Sequence, residues 1–208
     1  MGSLFGRKET EVRKIVVNEW MTLDGVVQAP GYADEDTAEG FAHGGWHLRH
    51  FDDASRKWVV AGYEQAGGFL FGRRTYEQLA SYWPDAAEEE QAVAVPLNTL
   101  PKYVASMKLK DPLEWQNSAV LQGDVPKAVA ALKRGKGDDL HVIGSTELVR
   151  ALTEHDLVDE FRLMIDPIVV GGGKRIFRDD GVLRSMRLVV HQVTSTGAML
   201  ATYAVDRR

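Results

Sequence analysis

The chain has 208 residues, of which 44% are hydrophobic and 26% charged, with a net charge of -5 and no cysteine. This length and composition suit one compact α/β domain, and the lack of cysteine excludes disulfides, thiolate nucleophiles and thiolate-bound zinc. Basic residues are scattered along the chain, so nucleic acid is not an expected partner. No apolar run approaches the ~20 residues of a membrane span, and we expect a cytoplasmic protein that does not bind membranes.

The sequence divides into a short leader and one domain. Residues 1–12 lack the apolar stretch of a signal peptide and indicate a flexible leader. No repeat, low-complexity segment or linker interrupts residues 13–208, which we expect to form a single domain. Residues 27–52 would be an unusually long loop, and such loops are disordered or functional; we favour a functional one.

Apolar β-branched runs alternate with helical patterns, which favours an α/β fold with a mostly parallel sheet and helices on both faces. The short hairpin signal at residues 195–198 predicts an antiparallel pair at the end of this mixed sheet. The eight predicted strands are Lys14–Trp20, Gly68–Phe71, Tyr103–Ser106, Ala119–Leu121, Leu140–Ile143, Phe161–Val170, Arg187–Thr194 and Met199–Val205.

Four helices are predicted between these strands. The first runs from Asp53 to near Gly67 with Trp58 and Tyr63 facing the core, and residues 88–90 indicate a solvated first helical turn. The other three helices are Thr75–Tyr82, one capped by Asp124 and closed by Gly135, and one from Ser145 or Thr146 to about His155.

Glycine-containing turns follow several strands. After the first strand, Gly25 permits a tight turn and Asp24 can bond its own backbone, although a plain β-turn explains this pattern equally well. A long apolar strand ends in Gly171-Gly172-Gly173, where backbone N–H groups could approach a ligand closely. A purely structural turn is the alternative interpretation.

Two further junctions have the composition of phosphate sites. Gly72-Arg73-Arg74-Thr75 opens a helix, and helix N-termini attract phosphate, to which arginine adds bidentate hydrogen bonds; solvated arginines are the alternative. Gly144-Ser145-Thr146 repeats the design, and its hydroxyls could cap the helix or bond phosphate. With Ser106 ending a strand between them, these turns predict a nucleotide across the carboxyl ends of the strands. Neither a Rossmann fingerprint nor a P-loop is present.

Over residues 13 to 205, these junctions resemble the dihydrofolate reductase superfamily, specifically the C-terminal reductase domain of bacterial riboflavin-biosynthesis deaminase-reductases. The resemblance implies a three-layer α/β/α fold that binds NADPH and transfers hydride to a nitrogen heterocycle. Its residues are Thr22-Leu23-Asp24-Gly25, Gly72-Arg73-Arg74-Thr75-Tyr76-Glu77, Val142-Ile143-Gly144-Ser145, and Leu157-Val158-Asp159-Glu160 leading to Pro167 and Gly171-Gly172-Gly173.

The resemblance also implies roles by matching position. Arg73 would lie near the 2′-phosphate of NADPH, residues 144–147 near the pyrophosphate, and residues 171–173 near the substrate, although Ser145 stands where the family commonly has glycine. The residues expected at the cofactor are Asp24, Gly25, Gly72, Arg73, Arg74, Thr75, Ser106, Ile143, Gly144, Ser145, Thr146 and Glu147.

The proton donor is expected just before the first helix. Asp52 or Asp53 could serve, with Trp46 and Phe51 stacking on a flat substrate, but Asp53 could instead cap the helix. Glu19 and Trp20 are further candidates for the substrate pocket, and strand alternation would let only one of them face inward.

The leading hypothesis is therefore an NADPH-dependent reductase of a small heterocyclic substrate, such as 5-amino-6-(5-phosphoribosylamino)uracil, and relatives suggest a homodimer. A nucleotide-binding or dimerisation module without efficient catalysis, or a true dihydrofolate reductase, are the alternatives. No metal is expected, because glycines interrupt the helix that would align His43, His47 and His50.

Overall fold

The structure, a computed structural model, describes residues 12–207, so the predicted leader lies outside the described residues except for its last residue. Eight strands form one sheet in the order β4-β3-β2-β5-β1-β6-β8-β7. The strands are β1 Ile15–Thr22, β2 Ala66–Gly72, β3 Lys102–Ala105, β4 Ser118–Leu121, β5 Asp139–Ile143, β6 Glu160–Asp166, β7 Met186–Val193 and β8 Met199–Val205.

Strand direction confirms the predicted mixed sheet. Strands β1 to β6 pair in parallel, and β8 runs antiparallel to both β6 and β7. The carboxyl ends of β1, β2, β3 and β5 consequently meet at one edge of the sheet, where an open α/β sheet places its ligand sites.

Five α-helices cover the sheet: α1 Asp53–Tyr63, α2 Arg73–Ala80, α3 Gln91–Thr99, α4 Val125–Lys133 and α5 Thr146–Glu154. Four of them were predicted, with ends shifted by a few residues. The sequence did not predict helix α3. It predicted only a helical turn at residues 88–90, and these residues form a 3-10 helix directly before α3. Pro96 lies inside α3, and proline removes the backbone donor that a helix interior needs.

Alternation along the strands separates two cores and confirms the three-layer arrangement. Phe69 and Phe71 of β2 pack with residues of α1, α2 and α3, whereas Leu70 packs on the other face with residues of α4 and α5. Successive strand residues point to opposite faces, so a single short strand supplies both layers. The sheet is thereby held rigidly between its helices.

The predicted strand Phe161–Val170 is too long. Strand β6 ends at Asp166 because Pro167 has no N–H to continue the ladder. Residues 167–173 form an irregular segment. Its Ile168 carbonyl accepts a hydrogen bond from the Leu23 amide at 2.9 Å. This segment therefore contacts the loop after β1.

Lys102 on β3 donates hydrogen bonds to backbone carbonyls at the end of α3. Its side chain is fully buried, and its ammonium donates to the carbonyls of Leu97 at 2.7 Å and Leu100 at 3.1 Å and lies 4.7 Å from the centre of the Trp115 ring. Burial lowers the pKa of Lys102 to about 8. The ammonium thus satisfies carbonyls at the end of α3.

Replacing Lys102 with methionine should destabilise the fold by about 1–3 kcal/mol, because buried carbonyls would lose their donor. Chemical denaturation monitored by circular dichroism would measure the free energy of unfolding. Lys127→Met is the matched control, since that side chain is 85% exposed and its loss should change stability little. Equal stability of the two variants would contradict this role of Lys102.

Candidate active site

A cavity of about 890 Å³ opens at the carboxyl edge of the sheet. Its walls come from β1, the starts of α2 and α5, the inner face of α1, and residues 27–38 of the loop after β1. Val59 of one core layer and Leu148 of the other both border it. The cavity therefore extends over the strand ends and reaches both layers.

One end of the cavity is formed by two helix N-termini that lie side by side. The Gly72 amide, just before α2, donates to the Ser145 hydroxyl before α5 at 2.9 Å. Gly144 and Ser145 both have left-handed backbone angles, with φ of 54° and 61°, and a Cβ on Gly144 would lie 3.5 Å from the Thr75 methyl. Helix N-termini bind anions through unpaired N–H groups, so this end suits phosphate.

Arginines add positive charge at the same end. Arg73 and Arg74 line the cavity, and Arg73 donates to Glu77 at 2.6 Å. The pKa of Asp36 on the loop is lowered although its burial acts in the opposite direction; the hydrogen bond from Lys174 is the largest lowering cause, and the charge of Arg74 makes a smaller contribution. Arg73 thus pairs with Glu77 at the rim of the cavity, whereas Arg74 is exposed.

The structure brings most of the expected cofactor residues together on the cavity wall. Those that line it are Gly72, Arg73, Arg74, Thr75, Ile143, Gly144, Ser145, Thr146 and Glu147. Ser106 follows β3 at the same edge but is not on the wall, and its hydroxyl accepts from the amides of Lys108 and Leu109. Its hydroxyl thus caps the turn after β3, and its expected place beside the cofactor stays a prediction.

Asp24 and the triple-glycine turn contact each other instead of lining the cavity. The Asp24 carboxylate accepts from the Thr22 hydroxyl at 2.6 Å and from the Gly171 amide at 2.9 Å, and the first of these bonds lowers the pKa of Asp24 to about 2. Gly25 has a φ of 82°, as its tight turn requires. A Cβ on Gly173 would come within 2.8 Å of the Phe41 ring. Asp24, Gly25 and residues 171–173 thus have structural contacts with each other and with Phe41, and their expected roles at the ligand stay predictions.

Asp52 does not fit the predicted role of proton donor. It is the N-cap of α1, a position that had been considered for Asp53, and it accepts from the Ser55 amide at 3.0 Å and the Ser195 hydroxyl at 2.6 Å. The bond from Ser195 is the main reason that the pKa of Asp52 lies well below its usual range. Asp52 and Asp53 border a separate depression at the end of β7.

The predicted stacking residues Trp46 and Phe51 also lie off the cavity wall. Trp46 is buried and donates its indole N–H to the Gln28 carbonyl at 2.8 Å, which fixes the loop after β1. Phe51 contacts the edge of the His47 ring. Both residues therefore support the cavity from behind.

Glu19 and Trp20 both line the cavity, whereas alternation predicted only one. Both line it because the cavity reaches over the sheet edge onto two layers. The Trp20 ring stacks on His47 at 4.7 Å, and His47 in turn bonds the buried Asp166 at 2.9 Å. The stacking fixes the plane of the Trp20 ring. The hydrogen bond to Asp166 directs His47 to a carboxylate, not toward His43 and His50.

Glu19 is a buried carboxyl on the cavity wall. It is 7% exposed, and burial, with a smaller contribution from the charge of Glu35, raises its pKa to about 8. Trp58 and Tyr63 of α1 border the same space, although the sequence indicated only a core role for them. Carboxyls with raised pKa values in clefts mark functional sites.

The sequence favoured a functional loop here but did not indicate which of residues 27–38 line the cavity. Tyr32, Asp34 and Glu35 lie on the cavity wall, and the only sequence signal for them was the unusual length of the loop.

None of the helices within residues 12–207 is long and apolar enough to cross a bilayer. Over the same residues, no group of three histidines or carboxylates is placed to hold a metal ion.

Comparison with known proteins agrees with this geometry. The sequence model of the RibD C-terminal domain matches residues 13–200. The chain belongs to the RibD C-terminal domain family. The uncharacterized protein YyaP of Bacillus subtilis (strain 168) is 26% identical over 195 residues, which cover 92% of this chain and 94% of YyaP.

Solved structures related to this RibD C-terminal domain share its fold. A Shewanella sp. PV-4 protein described as a riboflavin biosynthesis protein superposes with a TM-score of 0.65 at 19% identity, covering 93% of this chain and 99% of that one. The Thermotoga maritima diaminohydroxyphosphoribosylaminopyrimidine deaminase/5-amino-6-(5-phosphoribosylamino)uracil reductase gives a TM-score of 0.61 at 13% identity, covering 94% and 57%. These likenesses confirm the dihydrofolate-reductase-like architecture.

Glu19→Gln should change how stability depends on pH. The pKa of Glu19 is about 8 in the folded state against an ordinary value of 4.5, so the folded chain holds a proton that the unfolded chain releases. Wild-type stability should therefore fall relative to the variant as pH rises from about 5 to about 8, by up to about 1.4 kcal/mol per pH unit. Urea denaturation across this range would measure the difference.

The exposed Glu89 offers the control Glu89→Gln, which should track wild type at every pH. A constant difference between wild type and Glu19→Gln across the range would show that Glu19 titrates normally.

Proposed function

We propose that this chain is an NADPH-dependent reductase that transfers hydride to a small nitrogen heterocycle. The observation that supports this most is the pair of helix N-termini, joined by the Gly72–Ser145 hydrogen bond, that open with Arg73 and Arg74 on one cavity. The cavity, about 890 Å³, has the size of a small-molecule site. The reductase activity named for the Thermotoga maritima relative makes an aminouracil-type ring a reasonable substrate.

The residues present fit a dinucleotide. The N–H groups that open α2 and α5, with the hydroxyls of Thr75 and Thr146, would hold the pyrophosphate, and Gly144 leaves room for it beside Thr75. Arg73 or Arg74 would bond the 2′-phosphate that distinguishes NADPH from NADH. When bound, NADPH supplies the hydride.

The other end of the cavity would hold the substrate. Trp20 is fixed by its stacking on His47, and Trp58 by the Arg162 guanidinium, which lies 4.1 Å from its ring centre and donates to its carbonyl at 2.6 Å. These two aromatic side chains line the cavity and could orient a planar ring while excluding water.

Arg73→Gln and Arg74→Gln should each test the cofactor. Loss of a charge-assisted bond to phosphate is worth about 1.5–3 kcal/mol, so the variant at the 2′-phosphate should bind NADPH about 10–100-fold more weakly and NADH almost unchanged. Isothermal titration calorimetry at one ionic strength would measure both affinities. Arg134→Gln, at an exposed position after α4, should leave both unchanged.

Equal losses of NADPH and NADH affinity in both variants would exclude 2′-phosphate recognition by these arginines. Failure of the folded wild-type chain to bind either nucleotide would overturn the proposed function.

We also propose that two copies of the chain form a homodimer through β7. This strand lies at the edge of the sheet, and its residues from Arg187 to Val193 are exposed on both faces. Leu188, Val189 and Val190 are 45%, 51% and 55% exposed. An exposed apolar edge strand favours pairing with another strand, and a two-fold axis would let β7 pair with its own copy.

The double variant Leu188→Glu/Val190→Glu should convert the dimer to a monomer without unfolding it, because like charges would meet across the two-fold axis. Analytical ultracentrifugation gives the mass, and circular dichroism checks the fold. Met107→Glu, at a fully exposed position after β3, should remain dimeric. A wild-type chain that sediments as a monomer would contradict the proposal.

A further inference from the structure

Glu19 is a buried carboxyl that is left without a full set of hydrogen bonds. Its residue lies on β1, between β5 and β6, and is 7% exposed. Within residues 12–207, the buried oxygen Oε1 has no hydrogen-bond partner. Buried polar atoms in proteins almost always have a partner, and this one belongs to a side chain on the cavity wall. The missing partner is therefore to be sought in a ligand.

The groups around Glu19 do not supply a counter-charge. Among the described residues, no ion pair involves Glu19. The nearby cation Arg162 is already engaged, because its guanidinium donates to the Asn18 amide oxygen at 3.1 Å and to the Trp58 carbonyl. Of the titratable and charged groups on the cavity wall and the neighbouring strands, Glu35 is the one whose charge shifts the pKa of Glu19. These groups are Tyr32, Asp34, Glu35, Asp36, Tyr63, Arg73, Arg74, Glu77, His141, Glu147, Arg162 and Lys174.

This environment keeps the carboxyl protonated at neutral pH. Burial is the larger cause and the negative charge of Glu35 the smaller one, and together they raise the pKa of Glu19 to about 8. Asp52, by contrast, accepts several hydrogen bonds that hold its pKa low. Only Glu19 of the two can act as an acid near neutral pH, where a general acid is most effective.

We propose that Glu19 is a catalytic acid, whose carboxyl group hydrogen-bonds a ring or imine nitrogen of the substrate and protonates it. This inference rests on the proposed reductase function. The O–H bond of Glu19 breaks and an N–H bond forms, while the carbon of the same C=N bond accepts hydride from a reduced nicotinamide nucleotide and the π electron pair moves to nitrogen. Glu19 is left as a carboxylate and regains its proton from solvent at the cavity mouth.

The same geometry defines a substrate class. A neutral carboxyl donates one hydrogen bond and accepts another, which suits a ring edge that carries an acceptor nitrogen beside an N–H or amino group. Trp20 and Trp58 favour a planar ring, and Glu35 and Asp34 on the same wall disfavour a negative charge on it. The ring that contacts Glu19 is thus uncharged or cationic and resembles an aminopyrimidine or a pteridine, whatever group it carries toward the arginines.

The first test measures the proton directly and needs no turnover. Carbon-13 NMR of the full chain labelled at glutamate carboxyls should show one signal that titrates near pH 8, far from the ordinary value of 4.5. This signal should be missing in Glu19→Gln and should shift to lower pH in Glu35→Gln, which removes the neighbouring charge. A wild-type protein whose glutamates all titrate near their ordinary values overturns the proposal, even if Glu19→Gln does not fold.

The second test measures turnover as loss of nicotinamide absorbance with a panel of aminopyrimidines and pteridines. Glu19→Gln keeps the size of the side chain but has no transferable proton, so kcat should fall by about 100-fold or more, with unchanged NADPH affinity. The fall of wild-type kcat above about pH 8 should disappear. The exposed control Glu89→Gln should match wild type.

The outcomes separate the two proposals. Normal NADPH binding combined with a Glu19→Gln variant as active as wild type, over the same pH profile, overturns the acid role alone. A folded wild-type chain that binds no NADPH overturns the reductase function and the acid role with it.

Discussion

The hydrogen bond from the Gly72 amide to the Ser145 hydroxyl is the contact that holds two helix N-termini together at one end of the cavity. It joins the ends of β2 and β5, which are parallel neighbours in the sheet, and so sets α2 and α5 side by side. Ser145 pays for this position with a left-handed backbone of φ 61°, which costs about 1–2 kcal/mol in an L-residue. Two helix N-termini consequently converge on one cavity.

Features set by nearby residues could be predicted from the sequence. The order of strands and helices, the final hairpin and the helix starts after Gly72 and Gly144 all follow from local patterns of apolar, glycine and hydroxyl residues. Pro96 inside α3 and Pro167 after β6 show the limits of such patterns. Helix α3 forms although Pro96 disfavours it, because its packing outweighs the weak local signal. Pro167 alone ends a strand that the apolar pattern predicted to continue.

Features set by distant residues could not be predicted. The partners of Asp52 and Asp24 include Ser195 and Gly171, which are 143 and 147 positions away in the chain. Both carboxylates therefore looked available for ligands but are occupied by the fold. Whether Glu19 or Trp20 faces a ligand was likewise undecided, because strand alternation does not indicate that a cavity wraps around the end of a sheet.

The three carboxyls show how environment assigns a role to one chemical group. Asp24 and Asp52 accept hydrogen bonds from amides and hydroxyls, which stabilise the charged form and lower their pKa values. Glu19 lies on a central strand where burial removes water without adding donors, so its neutral form is favoured. The ordinary pKa values of Asp and Glu, 3.8 and 4.5, differ far less than the folded-state values of Asp24 and Glu19, which are about 2 and about 8, so the environment sets the protonation state.

The loop of residues 27–38, on the same wall as Glu19, is fixed by contacts unlike those between the helix N-termini. The Gln28 side chain donates to the carbonyls of Asp36 and Ala38 and accepts from the Lys174 amide at 3.0 Å, while Trp46 donates to its backbone. The sheet topology fixes the helix N-termini, whereas these side chains fix the wall around Glu19. The two parts of the cavity wall are therefore held by different kinds of contact, and they meet where Asp36 of the loop lies within reach of the charge of Arg74.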